Sequence, residues 1–163
     1  MTNADPLPSR ARPRAQLSPP VGVLLGGACL GTLDALFAIS FWVSRGATAG
    51  AVFRSVAAGL LGKAAKTGGT SVAILGLGLH YFIATSMVLA YYLASRRLPW
   101  LVERPIAYGA AYGVFLYLFM NLVVLPLSAV GMPSFSNTLW VGLSVLMHAV
   151  FGVIAAFAAR QTR

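Results

Sequence analysis

Residues 21–43 read VGVLLGGACLGTLDALFAISFWV, and Asp34 is the one charged side chain among them. A hydrocarbon layer about 30 Å thick needs about 20 apolar residues of helix, at 1.5 Å per residue. This stretch is long enough, and it runs continuously apolar where barrel strands would alternate. It therefore predicts a membrane-spanning α-helix.

Working outward, three further stretches have the same character: 72–94, 106–129 and 139–159. The whole chain of 163 residues is 58% hydrophobic and 9% charged, against about 25% charged for a soluble domain. The fold class expected is all-α, a transmembrane four-helix bundle occupying residues 21–159. The joints SRRLPWLVERP (95–105) and GMPSFSN (131–137) are short and contain proline, which predicts antiparallel neighbours. Trp42, Trp100 and Trp140 fall at segment ends, where indoles favour the headgroup layer.

Between the first two spans, residues 48–66 alternate differently. On a helical wheel Phe53, Val56, Ala57, Leu60, Leu61 and Ala64 share one side, and Arg54, Ser55, Gly59, Gly62, Lys63 and Lys66 most of the other. Charges recurring so often do not suit a fifth span, so an interfacial amphipathic helix is expected. Residues 1–20 are polar, basic and proline-rich and read as a disordered tail, with residues 160–163 as a short C-terminal one. The apolar stretch after Arg10, Arg12 and Arg14 exceeds an ordinary signal-peptide core, so the first span is expected to stay on the chain. Gly26 in GGAC (26–29) stands where a lipoprotein cleavage box wants leucine, and Cys29 reads as a buried small residue. A single cysteine excludes an internal disulfide.

The net charge of +9 would suggest nucleic acid in a soluble protein. Here the cations flank apolar segments, so the expected partners are the lipid bilayer and anionic lipid headgroups, with no nucleic acid. With the N-terminus inside, Arg10, Arg12, Arg14, Arg96, Arg97, Arg104, Arg160 and Arg163 are cytoplasmic, and only Arg45, Arg54, Lys63 and Lys66 are outside. Both termini are thus expected in the cytoplasm.

Each span carries one strongly polar residue: Asp34, His80, Asn121 and His148. Counted from the outer end of each helix, all four lie about 12 to 15 Å deep. Small residues flank them: Gly27, Gly31 and Ala38 near Asp34, Gly76 and Ala84 around His80, Gly109 and Gly113 on the stripe of Asn121, and Ser144 and Gly152 around His148. Small residues let membrane helices approach, and 27–31 and 109–113 both have GxxxG spacing. The four polar residues are therefore expected to face one another inside the bundle.

That layer admits two classes of function. The leading one is structural or accessory, with polar contacts fixing helix register at about 0.6 kcal/mol each. The alternative is a site. Asp34, His80 and His148 form a 2-His-1-carboxylate set for a metal, His80 and His148 beside Gly76 and Gly152 suit bis-histidine haem, and histidine with a carboxylate suits a proton relay. Hydrolysis by a triad is excluded, because no serine sits on a nucleophile elbow. Transport of a larger solute would require a homo-oligomer or larger membrane complex, through the GxxxG faces. Pro126 predicts either the end of the third helix or freed carbonyls opening over the polar layer.

The stretch AAGLLGKAAKTGGTSVAILGLGLHYFIATSMVLAYYLAS (57–95), with YGAAYGVFLYLFMNLVVLPLS (108–128), resembles a family of bacterial multi-pass inner-membrane proteins that has no established activity. The resemblance runs from about Val21 to Ala159 and includes His80 and Asn121. It implies a bacterial inner-membrane location and supports the topology, and it carries no substrate or cofactor with it.

Overall fold

The computed structural model describes residues 16–162, which are helical and strand-free. Four helices are long and apolar enough to cross a membrane: α1 (Pro19–Val43), α3 (Thr70–Arg97), α4 (Pro105–Leu127) and α5 (Thr138–Arg160). Between the first two stands a shorter helix, α2 (Ala49–Leu61), continued by a 3-10 turn over Gly62–Thr67. Leu24, Leu36, Ile74, Phe82, Leu122 and Leu146 are each more than half exposed. Such a girdle is out of place in water and natural where lipid is the solvent.

Local chemistry sets the ends. Proline opens α1 and α4, where its missing N–H costs nothing. Thr48 and Asn137 cap α2 and α5 by accepting the N–H groups of Ala51 and Trp140 at 3.2 and 3.0 Å. The predicted tail 1–20 proves shorter at its inner edge. Helix α1 already begins at Pro19, and the Leu17 N–H donates to the Gln161 carbonyl at 3.1 Å. Residues 1–15, with Arg10, Arg12 and Arg14, and residue 163 lie outside the described residues.

Helix α5 holds the bundle together, lying along α4 and also against α1 and α3. The closest approach is between α4 and α5. A Cβ on Gly113 would run into the His148 carbonyl, and one on Gly152 into the Gly109 carbonyl. Gly27 and Gly31 likewise admit Thr85 and Tyr81 of α3. Both GxxxG stripes are thus used in contacts inside one chain. The core between α1, α3 and α5 contains Leu30, Val88, Phe151 and Ala155.

Helix α2 crosses α3 at Gly76, whose missing side chain leaves room for the Phe53 carbonyl. Ala57 and Ala58 are its buried residues, and Ala65 is that of the 3-10 turn after it. Leu60 and Leu61, on the apolar side of the wheel, are 65% and 42% exposed. Ser55, on the side of the cations, is exposed as well. The Gly59 carbonyl accepts the Ala129 N–H at 3.0 Å, so α2 reaches from α3 across to the end of α4.

Candidate functional site

Although a short connector joins them, α3 and α4 do not pack along their length. They meet near the connector, where the Tyr91 and Tyr112 rings are 4.9 Å apart and the Tyr112 hydroxyl donates to the Met87 carbonyl at 2.8 Å. Further along they part, and a cavity of about 350 Å³ opens between them, roofed by α2. This size falls within the usual range for small-molecule pockets, about 300–1,000 Å³.

Helical spacing supplies the walls. Leu30, Asp34, Ala38 and Trp42 are successive i+4 positions of α1 that line the cavity, as are Trp140, Ser144 and His148 of α5. His80 and Met87 line it from α3, Tyr117 and Asn121 from α4, and Phe53 and Ser55 from α2. All four polar residues expected to form one layer, Asp34, His80, Asn121 and His148, therefore border a single space.

The hydrogen bonds assign their protons. His80 Nε2 lies 2.7 Å from the Gly31 carbonyl oxygen. A carbonyl only accepts, so Nε2 carries hydrogen. That leaves Nδ1 facing the Asp34 carboxyl, 3.9 Å from Oδ2. This is within ion-pair range but beyond a direct hydrogen bond. His148 is arranged the other way round. Its Nδ1–H donates to the Ser144 carbonyl at 2.8 Å, and Nε2 is left for the cavity. The His148 ring is steadied by Tyr117 and Phe151, with centroids 5.5 and 5.7 Å away. The Asp34 side chain keeps 31% of its surface accessible.

Asn121 stands where α4 changes its winding. Residues Met120–Val124 form a π turn, in which the Leu125 N–H donates to Met120 instead of Asn121. The next residue, Pro126, has no N–H to offer, so the Asn121 carbonyl loses its helical donor. The Asn121 side-chain amide donates to the Tyr117 carbonyl at 2.8 Å, leaving Oδ1 uncommitted. Of the two expectations for Pro126 the helix end is the one observed: α4 ends one residue later, at Leu127.

Three features were not anticipated. Ser144 is 3% exposed and its Oγ has no hydrogen-bond partner, although its spacing from His148 did place it on the right stripe. Trp42 and Trp140 border the cavity and pack with Phe37 and Phe41, Trp140 stacking on Phe37 at 5.2 Å. Phe53 and Ser55 enter from α2, which no polar stripe marked.

The cofactor expectations meet an obstacle. His80 Nε2 is bonded to the Gly31 carbonyl, so a haem iron could not take that nitrogen without breaking the bond. Among the described residues no three His, Cys, Asp or Glu side chains form a metal-holding group, and Asp34, His80 and His148 do not assemble one here. Compared with protein-family models, curated proteins and solved structures, the chain matches none. The chemistry of the site is therefore argued from its own geometry.

Proposed function

We propose that this chain is a bacterial inner-membrane protein, with both termini cytoplasmic, that takes up and releases a proton at Asp34 and His80 beside its cavity. The observation that carries this reading is the approach of His80 Nδ1 to the Asp34 carboxyl, with Nε2 already committed to Gly31. In that arrangement one proton belongs to the pair. It resides either on the carboxyl, facing a neutral ring, or on Nδ1, facing a carboxylate. Both states are electrically neutral, as a low-dielectric interior demands, because an unpaired buried charge is costly.

A structural share supports the second reading. The His80–Gly31 bond and the contact between Thr32 Oγ1 and the Tyr81 hydroxyl, 2.9 Å, both tie α1 to α3. On that reading the layer holds helices in register and exchanges nothing.

Infrared difference spectra recorded against pH on purified protein separate the two. The chain has three acidic side chains, and only Asp34 lies within a span. A carboxylic-acid band that titrates, disappears in Asp34→Asn and moves to a different pH in His80→Gln is the expected result. If no intramembrane carboxyl titrates between mildly acidic and mildly alkaline pH, the pair is not a proton site and the structural reading stands.

A further inference from the structure

The cavity wall also indicates what the proton is exchanged for. Among the described residues lining it, Asp34 is the sole acid and none is lysine or arginine. Opposite Asp34, the uncommitted atoms of α4 and α5 accept hydrogen bonds: His148 Nε2, Asn121 Oδ1 and the Asn121 carbonyl that lost its helical donor. The aromatic lining comprises Trp42, Phe53, Tyr117, Trp140 and Phe151. One carboxylate, several acceptors, aromatic faces and no fixed positive charge describe a receptor for an organic cation. Ser144 adds an independent sign, since this residue of the same wall has a buried Oγ without a hydrogen-bond partner.

We infer that the cavity binds a small amphipathic ammonium ion, one aromatic or aliphatic body with a single positive nitrogen, against the Asp34 carboxylate in place of the pair's proton. This rests on the proton-exchanging reading above and extends it. The charges balance. The empty site holds Asp34, His80 and one proton, and is neutral. The occupied site holds the Asp34 carboxylate, neutral His80 with hydrogen on Nε2, and one cation, and is again neutral. One proton leaves for each cation that enters, because retaining both would bury an uncompensated charge.

The groups facing Asp34 allow this exchange. From α3 it is faced by His80, 3.9 Å away, and the cavity beside it is lined by His148 of α5 and Tyr117 of α4. No titratable residue of α2 lines it. Of the cations at that end of the bundle, Arg45 is bound to the Phe41 carbonyl and lies over its ring at 3.7 Å, and Arg54 is placed beside Gly50. Neither takes the position a ligand cation would need.

The test uses benzylammonium, whose N–H groups can reach those acceptors, and its uncharged isostere ethylbenzene, titrated calorimetrically into the full chain in detergent. Two buffers of different ionisation enthalpy count the protons released. The expected result is saturable binding of the cation alone, one proton released per cation, and an affinity about tenfold weaker for each pH unit below the pair's titration. Ser144→Ala should fold and weaken binding a few-fold, and Asp34→Asn should abolish it. Should Asp34→Asn not fold, the proton count and pH slope of the parent protein decide the question.

Equal binding of the isostere would overturn the inference, leaving an apolar pocket. Cation binding with no proton release and no pH slope would also overturn it, since the exchange would be absent. A titrating carboxyl with no cation binding would overturn this inference and leave the proton-exchanging reading intact. If no carboxyl titrates at all, that reading fails first.

Discussion

Replacing Gly113 by alanine tests the helix contact that builds the α5 wall of the cavity. A Cβ at this position runs into the His148 carbonyl oxygen and stands 2.8 Å from the Ala149 Cα. Carbon atoms pack at about 3.5–4.0 Å, so α4 and α5 must part by about 1 Å. The obstacle is backbone, which cannot swing aside as a side-chain tip can. Overpacking of this kind costs about 1–3 kcal/mol, and the better helix propensity of alanine returns about 1 kcal/mol. Gly113→Ala is therefore expected to lose about 1 kcal/mol on balance.

Gly142 provides the control within α5. A Cβ there meets nothing within 4 Å, so Gly142→Ala retains the propensity gain of up to about 1 kcal/mol. The two single-methyl variants should differ by about 2 kcal/mol, roughly 30-fold in the folded-to-unfolded ratio. Unfolding in mixed micelles of rising SDS content, followed by tryptophan fluorescence, reads this difference directly. Because the displaced carbonyl belongs to His148, the same variant should also disturb that histidine's NMR signals. If both variants unfold at the same SDS fraction, α4 and α5 do not meet at Gly113, and the placement of His148 in the cavity wall fails with that contact.

Further expectations concern single groups. Nitrogen NMR of the neutral histidines should show hydrogen on Nε2 of His80 and on Nδ1 of His148, because each of those atoms donates to a carbonyl; the same tautomer at both would contradict the geometry. Tyr112→Phe removes the bond to the Met87 carbonyl and should cost about 1 kcal/mol, measured by the same SDS titration, with no loss beyond error counting against that bond. The expectation of a buried Cys29 is not met, because it is exposed on the membrane-spanning helix α1. In intact membranes a charged maleimide should leave it unmodified, while SDS should make it fully reactive; rapid labelling before SDS would place it in water.

The membrane class and the four spans were legible because their signal is local. Whether a stretch can cross lipid depends on its own length and on its satisfying its own backbone hydrogen bonds, and the structure moves the span boundaries by only a few residues. The stripes were legible for the same reason. The i+4 spacing of Asp34 with Ala38 and Trp42, and of Ser144 with His148, assigns each set to one face before any partner is known. The polar residues therefore announced that they would meet inside the bundle.

The tertiary structure decided which neighbour each face found, and with it the chemistry. GxxxG spacing indicates that something packs closely, and it equally fits another copy of the chain or another helix of the same one. Here the partners are α3 and α5. Helical periodicity could not foresee that α3 and α4 would diverge from their tyrosine contact, or that α2 would cross at Gly76 and roof the space left behind. Nor could residue types alone allot the histidine nitrogens. A histidine beside glycines looks the same in sequence whether it is open to a metal or held by a carbonyl, and the Gly31 and Ser144 carbonyls made that choice. The proposal that Asp34 and His80 share a proton rests on that allocation, which depends on distances between helices that no single span determines.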